Sequence, residues 1–129
     1  MAKILVVDDA ASIRLAVTAV LRWMGHESVD AVDGADALGK LAAENIDLVI
    51  CDWNMPNVDG EEFLRRLRGD PRTRRMPVVM LTAEAERSRI QRLMQFGVGG
   101  YVVKPFRPNT LSAVVREVLN GAAMLRDLD

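Results

Sequence analysis

The chain has 129 residues, 50% of them hydrophobic and 27% charged, with a formal net charge of −1. That length and balance fit one globular domain around a single core. The longest apolar runs, about five residues, fall far short of the ~20 that a membrane helix needs, so no membrane partner is expected. The start "MAKILVV" passes straight into acids and does not read as a signal peptide. Cys51 is the sole cysteine, which rules out an internal disulfide and points to a reduced, cytoplasmic setting. The small net charge hides a polarity: residues 1–64 carry 4 basic and 12 acidic side chains, residues 65–129 carry 13 and 6. On one shared core this implies an acidic pocket and a basic flank.

In chain order, apolar runs alternate with segments of helical period. Strands are expected at 3–7, 28–32, 48–51, 78–81 and 101–103, and helices near 10–24, 34–44, 59–68, 84–96 and 107–120. The first helix places Ile13, Val17, Val20, Leu21 and Met24 on one stripe; the last does the same with Leu111, Val114, Val115, Val118 and Leu119. Gly25, Asn45, Gly69, Gly97 and Gly121 follow the five helices where left-handed stops are expected. The domain is therefore placed at 1–121, with 122–129 either continuing the last helix or opening a linker. Five βα units imply right-handed crossovers and a parallel sheet covered on both faces, and "ILVV", "LVI" and "VVML" are as continuously apolar as such strands should be.

Ligands of open α/β sheets bind beyond the carboxyl ends of the strands. Those ends carry Asp8 and Asp9 after the first strand, Asp52 after the third, Thr82 after the fourth and Lys104–Pro105 after the fifth. If the first and third strands are neighbours, three carboxylates converge. Like charges in a partly dry cleft raise each other's pKa unless a cation intervenes. All-oxygen donors suit Mg²⁺. A carboxylate beside Mg²⁺ and an ammonium group has the means to attack phosphorus and carry the phosphoryl group as an aspartyl phosphate.

The blocks "VVDDA" (6–10), "DWNMPNVDG" (52–60), "LTAE" (81–84) and "YVVKPF" (101–106) resemble, in order and spacing, the receiver domain of two-component response regulators. The likeness covers essentially the whole chain and is nearest in layout to single-domain chemotaxis regulators. It implies a flavodoxin-like doubly wound sheet of order 2-1-3-4-5 flanked by five helices. It makes Asp52 the phosphoacceptor and Asp8, Asp9 and the Asn54 backbone carbonyl partners of Asp52 in holding Mg²⁺. It also makes Thr82 and Lys104 the phosphate-sensing hydroxyl and counter-charge, and Tyr101 the aromatic that swings inward. Backbone N–H groups at Met55 and Ala83 would meet the phosphate, and the Lys104–Pro105 bond would be cis. Asn54 and Glu84 flank the phosphoryl position much as in chemotaxis members. Ala10 and Ala11 depart from the larger or polar residues of many relatives, and Gly99 and Gly100 suggest a flexible approach to the fifth strand.

The resemblance further implies a histidine kinase or histidine phosphotransfer protein as donor and a protein target on the face made by the fourth helix, fifth strand and fifth helix. Arg87, Arg89 and Arg92 on that helix would meet an acidic partner. The expected state is a monomer, with dimerisation, if any, following phosphorylation. Singly these residues say little, because Asp pairs commonly cap helices or form turns; their joint placement at four strand ends carries the argument. Rival functions are a phosphohydrolase working through an aspartyl phosphate, disfavoured because Asn54 stands where a general acid is usual, and a docking module that never uses its Asp. The six arginines of "RRLRGDPRTRR" (65–75) read as a solvated helix end and loop. Without interleaved aromatics they do not indicate nucleic acid. His26 reads as solvated, Trp53 as lining the pocket mouth, and most aromatics as core.

Overall fold

In a computed structural model, residues 1–83 and 87–128 are described, with side chains through 83 and from 90 to 122. Ten elements alternate: β1 (Lys3–Val7), α1 (Ala11–Trp23), β2 (Glu27–Ala31), α2 (Gly34–Ala43), β3 (Leu48–Asp52), α3 (Gly60–Gly69), β4 (Val78–Thr82), α4 (Arg87–Gln95), β5 (Gly100–Val103) and α5 (Pro108–Leu128). The strands form one parallel sheet of order β2-β1-β3-β4-β5. Their carboxyl ends are level: Val7 lies opposite Ala31 and Cys51, Asp52 opposite Leu81, and Thr82 opposite Val103.

The period of two along each strand divides the core. Leu5, Val7, Val49, Cys51, Val78 and Met80 join Ala37 of α2, Phe63, Leu64 and Leu67 of α3, and Leu93 of α4. Ile4, Val6, Leu48, Ile50, Val79 and Leu81 face the other way, onto Val17, Val20 and Leu21 of α1 and Leu111, Val115 and Val118 of α5. Every residue of β3 and β4 is buried, which is why their sequences are apolar without alternation.

Two helix starts share the pattern V-D-G followed by an acid. Asp33 Oδ1 accepts from the Asp36 N–H at 2.8 Å, and Asp59 Oδ1 from the Glu62 N–H at 2.9 Å. These are N-cap carboxylates with a second acid three residues on, as in a capping box. At the other ends, the expected left-handed stops occur at Gly25 (φ +87°) and Gly97 (φ +68°) only. Glu44, extended, ends α2 ahead of Asn45, and Gly69 is itself helical. The stop expected at Gly121 is overruled, and α5 runs through to Leu128. A helical glycine costs about 1 kcal/mol, which the helix-forming Ala, Met, Leu and Arg residues beyond it outweigh.

Four of the six aromatics are buried or half-buried, whereas Trp23 is 79% and Tyr101 38% exposed. His26 is only partly solvated: its Nδ1 accepts the Ala2 N–H at 3.0 Å, and burial, then the nearby amino terminus, lower its pKa. Nor is the whole basic stretch solvated. Arg68 is half-buried and donates to the carbonyls of Phe96 (2.6 Å), Met76 (2.9 Å), Arg74 (3.1 Å) and Gly97 (3.3 Å), tying α3 to the next loop and to the end of α4. Gly99 and Gly100 serve packing: an added Cβ would lie 2.9 Å from Val118 Cγ1 or 2.8 Å from Val114 Cγ1, so β5 sits directly against α5.

Candidate functional site

The site forms where the level carboxyl ends of β1, β3, β4 and β5 meet. Asp8 follows β1, fully buried, and its backbone is fixed on both sides: its N–H donates to the Ala31 carbonyl at 3.1 Å, and its own carbonyl accepts from Arg14 Nη1 at 2.6 Å. The Asp8 carboxylate accepts the Ala10 N–H at 2.9 Å through Oδ1. Asp9 is exposed beside it. Asp52, 6% exposed, is the last residue of β3. One carboxylate oxygen from each of Asp8, Asp9 and Asp52 lies within 4.8 Å of the others. From the opposite side, Lys104 Nζ reaches Asp8 Oδ2 at 3.0 Å and Asp52 Oδ1 at 3.2 Å.

The backbone around these groups is tightly held. The Lys104 N–H donates to the Thr82 carbonyl at 2.7 Å, and the Lys104–Pro105 bond is cis. The Trp53 N–H donates to the Leu81 carbonyl at 3.0 Å, and the Gly60 N–H to the Trp53 carbonyl at 2.9 Å, so the 53–59 loop closes back on its own strand. A Cβ on Gly60 would lie 2.9 Å from the Asp52 carbonyl oxygen and from Trp53 Cα. Only glycine lets α3 start so close beneath the acceptor.

Charge and burial act against each other here. Asp52 has a pKa raised by burial and by the charge of Asp8, with Lys104 and the Asn54 N–H pulling it back. Burial works to lower that of Lys104, but its hydrogen bond to Asp8 and the charges of Asp52 and Asp8 prevail, and its pKa is raised. Cys51 is fully buried, and desolvation with the Asp52 and Asp8 charges lifts its pKa well above the ordinary thiol value, so it offers no thiolate nucleophile. Three hard oxygen donors against one ammonium leave an excess of negative charge, and the donor set fits a magnesium ion.

Of the other expected site residues, Thr82 is fully buried at the end of β4, and Ala83 is exposed just beyond it. Asn54 is exposed; Met55 is buried in the core on the α2–α3 side. Tyr101 stands on β5 opposite Met80, partly exposed. Trp53 is 8% exposed and belongs to that same core, so the expectation that it lines the pocket mouth is not met. Glu84 lies outside the described residues, as do the side chains of Arg87 and Arg89. Arg92 pairs with Glu61 of α3 at 2.6 Å instead of standing free for a partner. The sequence reading missed Gly60 and Arg14. The "DG" step before a helix was a legible signal for the first; nothing local marks the second.

Residues 4–116 match the response regulator receiver domain family, and the chain belongs to it. Members of this family are phosphorylation-activated signalling switches whose acidic cluster binds Mg²⁺. The chain is 42% identical over 117 residues to the chemotaxis protein CheY of Pseudomonas aeruginosa, covering 90% of this chain and 94% of that protein. It is 44% identical over 110 residues to CheY-3 of Vibrio cholerae, covering 84% and 85%. The solved structure of the Vibrio cholerae chemotaxis regulator CheY4 superposes with a TM-score of 0.86 at 39% identity, over 92% of this chain and 98% of that one.

Proposed function

We propose that this chain is a cytoplasmic switch in which Asp52 accepts a phosphoryl group from a histidine kinase or histidine phosphotransfer protein. The observation that carries the reading is the carboxylate trio within 4.8 Å, with Lys104 Nζ at 3.0 and 3.2 Å from two of its members.

Asp8, Asp9, Asp52 and the Asn54 carbonyl would hold Mg²⁺, which when bound neutralises charge on the phosphoryl oxygens. An Asp52 carboxylate oxygen forms the new bond to phosphorus while the donor's P–N bond breaks. The electron pair returns to the donor imidazole, which takes up a proton. Lys104, already between Asp8 and Asp52, turns to a phosphoryl oxygen; the Thr82 hydroxyl and the Met55 and Ala83 N–H groups take others. Positioning and charge stabilisation supply most of the rate in such transfers.

The added charge biases two arrangements of the domain, with Thr82 drawn toward the phosphate and Tyr101 drawn inward. Moving a population from 1:99 to 99:1 takes about 5.5 kcal/mol. Charge-assisted hydrogen bonds contribute about 1.5–3 kcal/mol each, so two to four suffice. Met94, Tyr101 and Val103, all at least a third exposed, support a protein-binding face formed by α4, β5 and α5. The chain acts as a monomer, with dimerisation following phosphorylation if it occurs. It performs only self-phosphorylation and slow self-dephosphorylation, since Asn54 provides no general acid for turnover of phosphate esters.

The test is incubation with acetyl phosphate or phosphoramidate and Mg²⁺, read by intact mass. Wild type gains about 80 Da for one phosphoryl group; Asp52→Asn does not. Absence of the adduct from wild type, or multiple-turnover hydrolysis of phosphate esters, overturns the reading.

A further inference from the structure

The start of α1 differs from the two helix starts that follow it. α2 and α3 begin on the N-cap carboxylates of Asp33 and Asp59, whereas α1 begins on Ala10, which has no side-chain acceptor, and its first turn carries no acid. The turn from Asp8 to Ala10 must therefore be held from elsewhere. It is also the turn that brings Asp9 within reach of Asp8 and Asp52.

Arg14 supplies the hold. Helical Cα–Cβ bonds tilt toward the amino terminus, so this side chain, one turn into α1, runs back over the helix start. Its Nη1 donates to the Asp8 carbonyl at 2.6 Å, and its Nε lies 3.4 Å from Asp30 Oδ2 of β2. The Arg14 side chain is only 15% exposed, which limits competition from water for that carbonyl. The Asp8 N–H donates to the carbonyl of Ala31, the next residue of β2, at 3.1 Å. β2 thus fixes the Asp8 backbone twice, once directly and once through Arg14.

The consequence falls on Asp9. A peptide unit is planar, so holding the Asp8 carbonyl oxygen sets the orientation of the whole Asp8–Asp9 link and the direction in which the Asp9 side chain leaves it. Asp8 has further anchors in its own carboxylate, which accepts the Ala10 N–H at 2.9 Å and Lys104 Nζ at 3.0 Å. Asp9 is exposed, and among the described residues no hydrogen bond reaches its carboxylate.

We propose that Arg14 is a positioning residue for magnesium: by gripping the Asp8 carbonyl it aims Asp9 at the space shared with Asp8 and Asp52. It acts through the acid pair, and the inference rests on the metal site of the phosphoacceptor reading. The sign of its effect separates this role from plain electrostatics. A guanidinium beside three carboxylates competes with Mg²⁺, so deleting its charge alone would tighten the ion. Deleting a group that orients a ligand loosens it.

Calorimetric titration of the full chain with magnesium chloride gives the dissociation constant, and urea unfolding in EDTA gives the metal-free stability. Wild type should bind Mg²⁺, and Asp9→Asn should bind it far more weakly. Arg14→Ala should weaken binding about tenfold, the lower end of the range for groups that orient metal ligands. Arg14→Lys keeps the charge but lacks the fork that spans Asp8 and Asp30; it should also weaken binding, though less than alanine does. In labelling with acetyl phosphate, both variants should need more Mg²⁺ to reach half their maximal rate, while their rates at saturating Mg²⁺ approach that of wild type. Unchanged or tighter Mg²⁺ binding in Arg14→Ala overturns the proposal, as does a loss of stability in EDTA with no change in affinity. Should Arg14→Ala not fold, Arg14→Lys decides by the same two criteria. A wild type that binds no Mg²⁺ would instead overturn the metal site itself, and this inference with it.

Discussion

β3 has an aspartate at each end, and the two have opposite fates. Asp47, just before the strand, spends its charge on the Lys3 N–H at 2.8 Å and ties β1 to β3. Asp52, closing the strand, is buried against Asp8 and near Asp9, and its carboxyl pKa is raised. The first acid lowers the energy of the folded chain; the second is held where ionisation is costly. Acids that the fold itself satisfies are structural. Acids gathered at one edge beyond what a single lysine balances require a cation and are positioned for chemistry.

The sharpest way to break this contrast is to exchange the two losses. Asp52→Asn should abolish the phosphoryl adduct, whereas Asp47→Ala should leave its yield unchanged under acetyl phosphate and Mg²⁺. An adduct persisting in Asp52→Asn, or lost in Asp47→Ala, would show that position on the strand does not separate the roles.

The next largest effect concerns what supports the acceptor. Gly60→Ala places a methyl 2.9 Å from the Asp52 carbonyl oxygen and Trp53 Cα, backbone atoms that yield little. Overpacking of this kind costs about 1–3 kcal/mol. Urea denaturation should register that loss, and phosphoryl uptake should slow as well. A variant with wild-type stability would mean that the 53–59 loop shifts freely.

These residues also indicate how far the sequence could be read. The five strands and the four strand-end blocks were legible because each depends on local identity: apolar runs, an acid pair, Lys-Pro; the strand order followed only from the family resemblance. What escaped was set by tertiary contact. Arg68 looked like one more solvated cation, yet four carbonyls, two from the following loop and two from the distant end of α4, converge on it. Trp53 looked like a rim residue because it follows the acceptor, but strand alternation turns it into the α2–α3 core. Gly121 carried the stop signal correctly used at Gly25 and Gly97, and was overridden by its helix-forming neighbours.

Magnesium sharpens the comparison from the solvent side. A ligand that binds only the folded chain stabilises it by about 1.4 kcal/mol at ten times its dissociation constant. Wild type should gain that much in thermal or urea unfolding. Asp9→Asn should gain much less, and Asp47→Ala should gain as much as wild type. A response unaffected by Asp9→Asn would place the ion elsewhere. Without metal, Asp47→Ala should itself lose about 1 kcal/mol, the usual net contribution of one hydrogen bond.

The smallest expected effect is a drift of stability with pH. Burial and the neighbouring Asp8 hold the Asp52 carboxyl above its ordinary value of 3.8. Between its unfolded and folded pKa, the folded chain therefore holds more protons than the unfolded chain, and Asp52's contribution to stability falls as pH rises. Other carboxylates drift the opposite way: Glu44, Glu62 and Asp70 are lowered by hydrogen bonds to Lys3, Arg66 and Arg72, respectively. Only the difference between wild type and Asp52→Asn isolates the acceptor. In EDTA the two should be nearly equal below pH 3.8, with the variant becoming the more stable as pH rises past the folded pKa. Millimolar Mg²⁺ should shrink or reverse that gain, since a bound cation favours the ionised carboxylate. A variant no more stable than wild type at neutral pH without metal would show that Lys104 already neutralises Asp52, and the contrast between the two ends of β3 would lose its electrostatic basis.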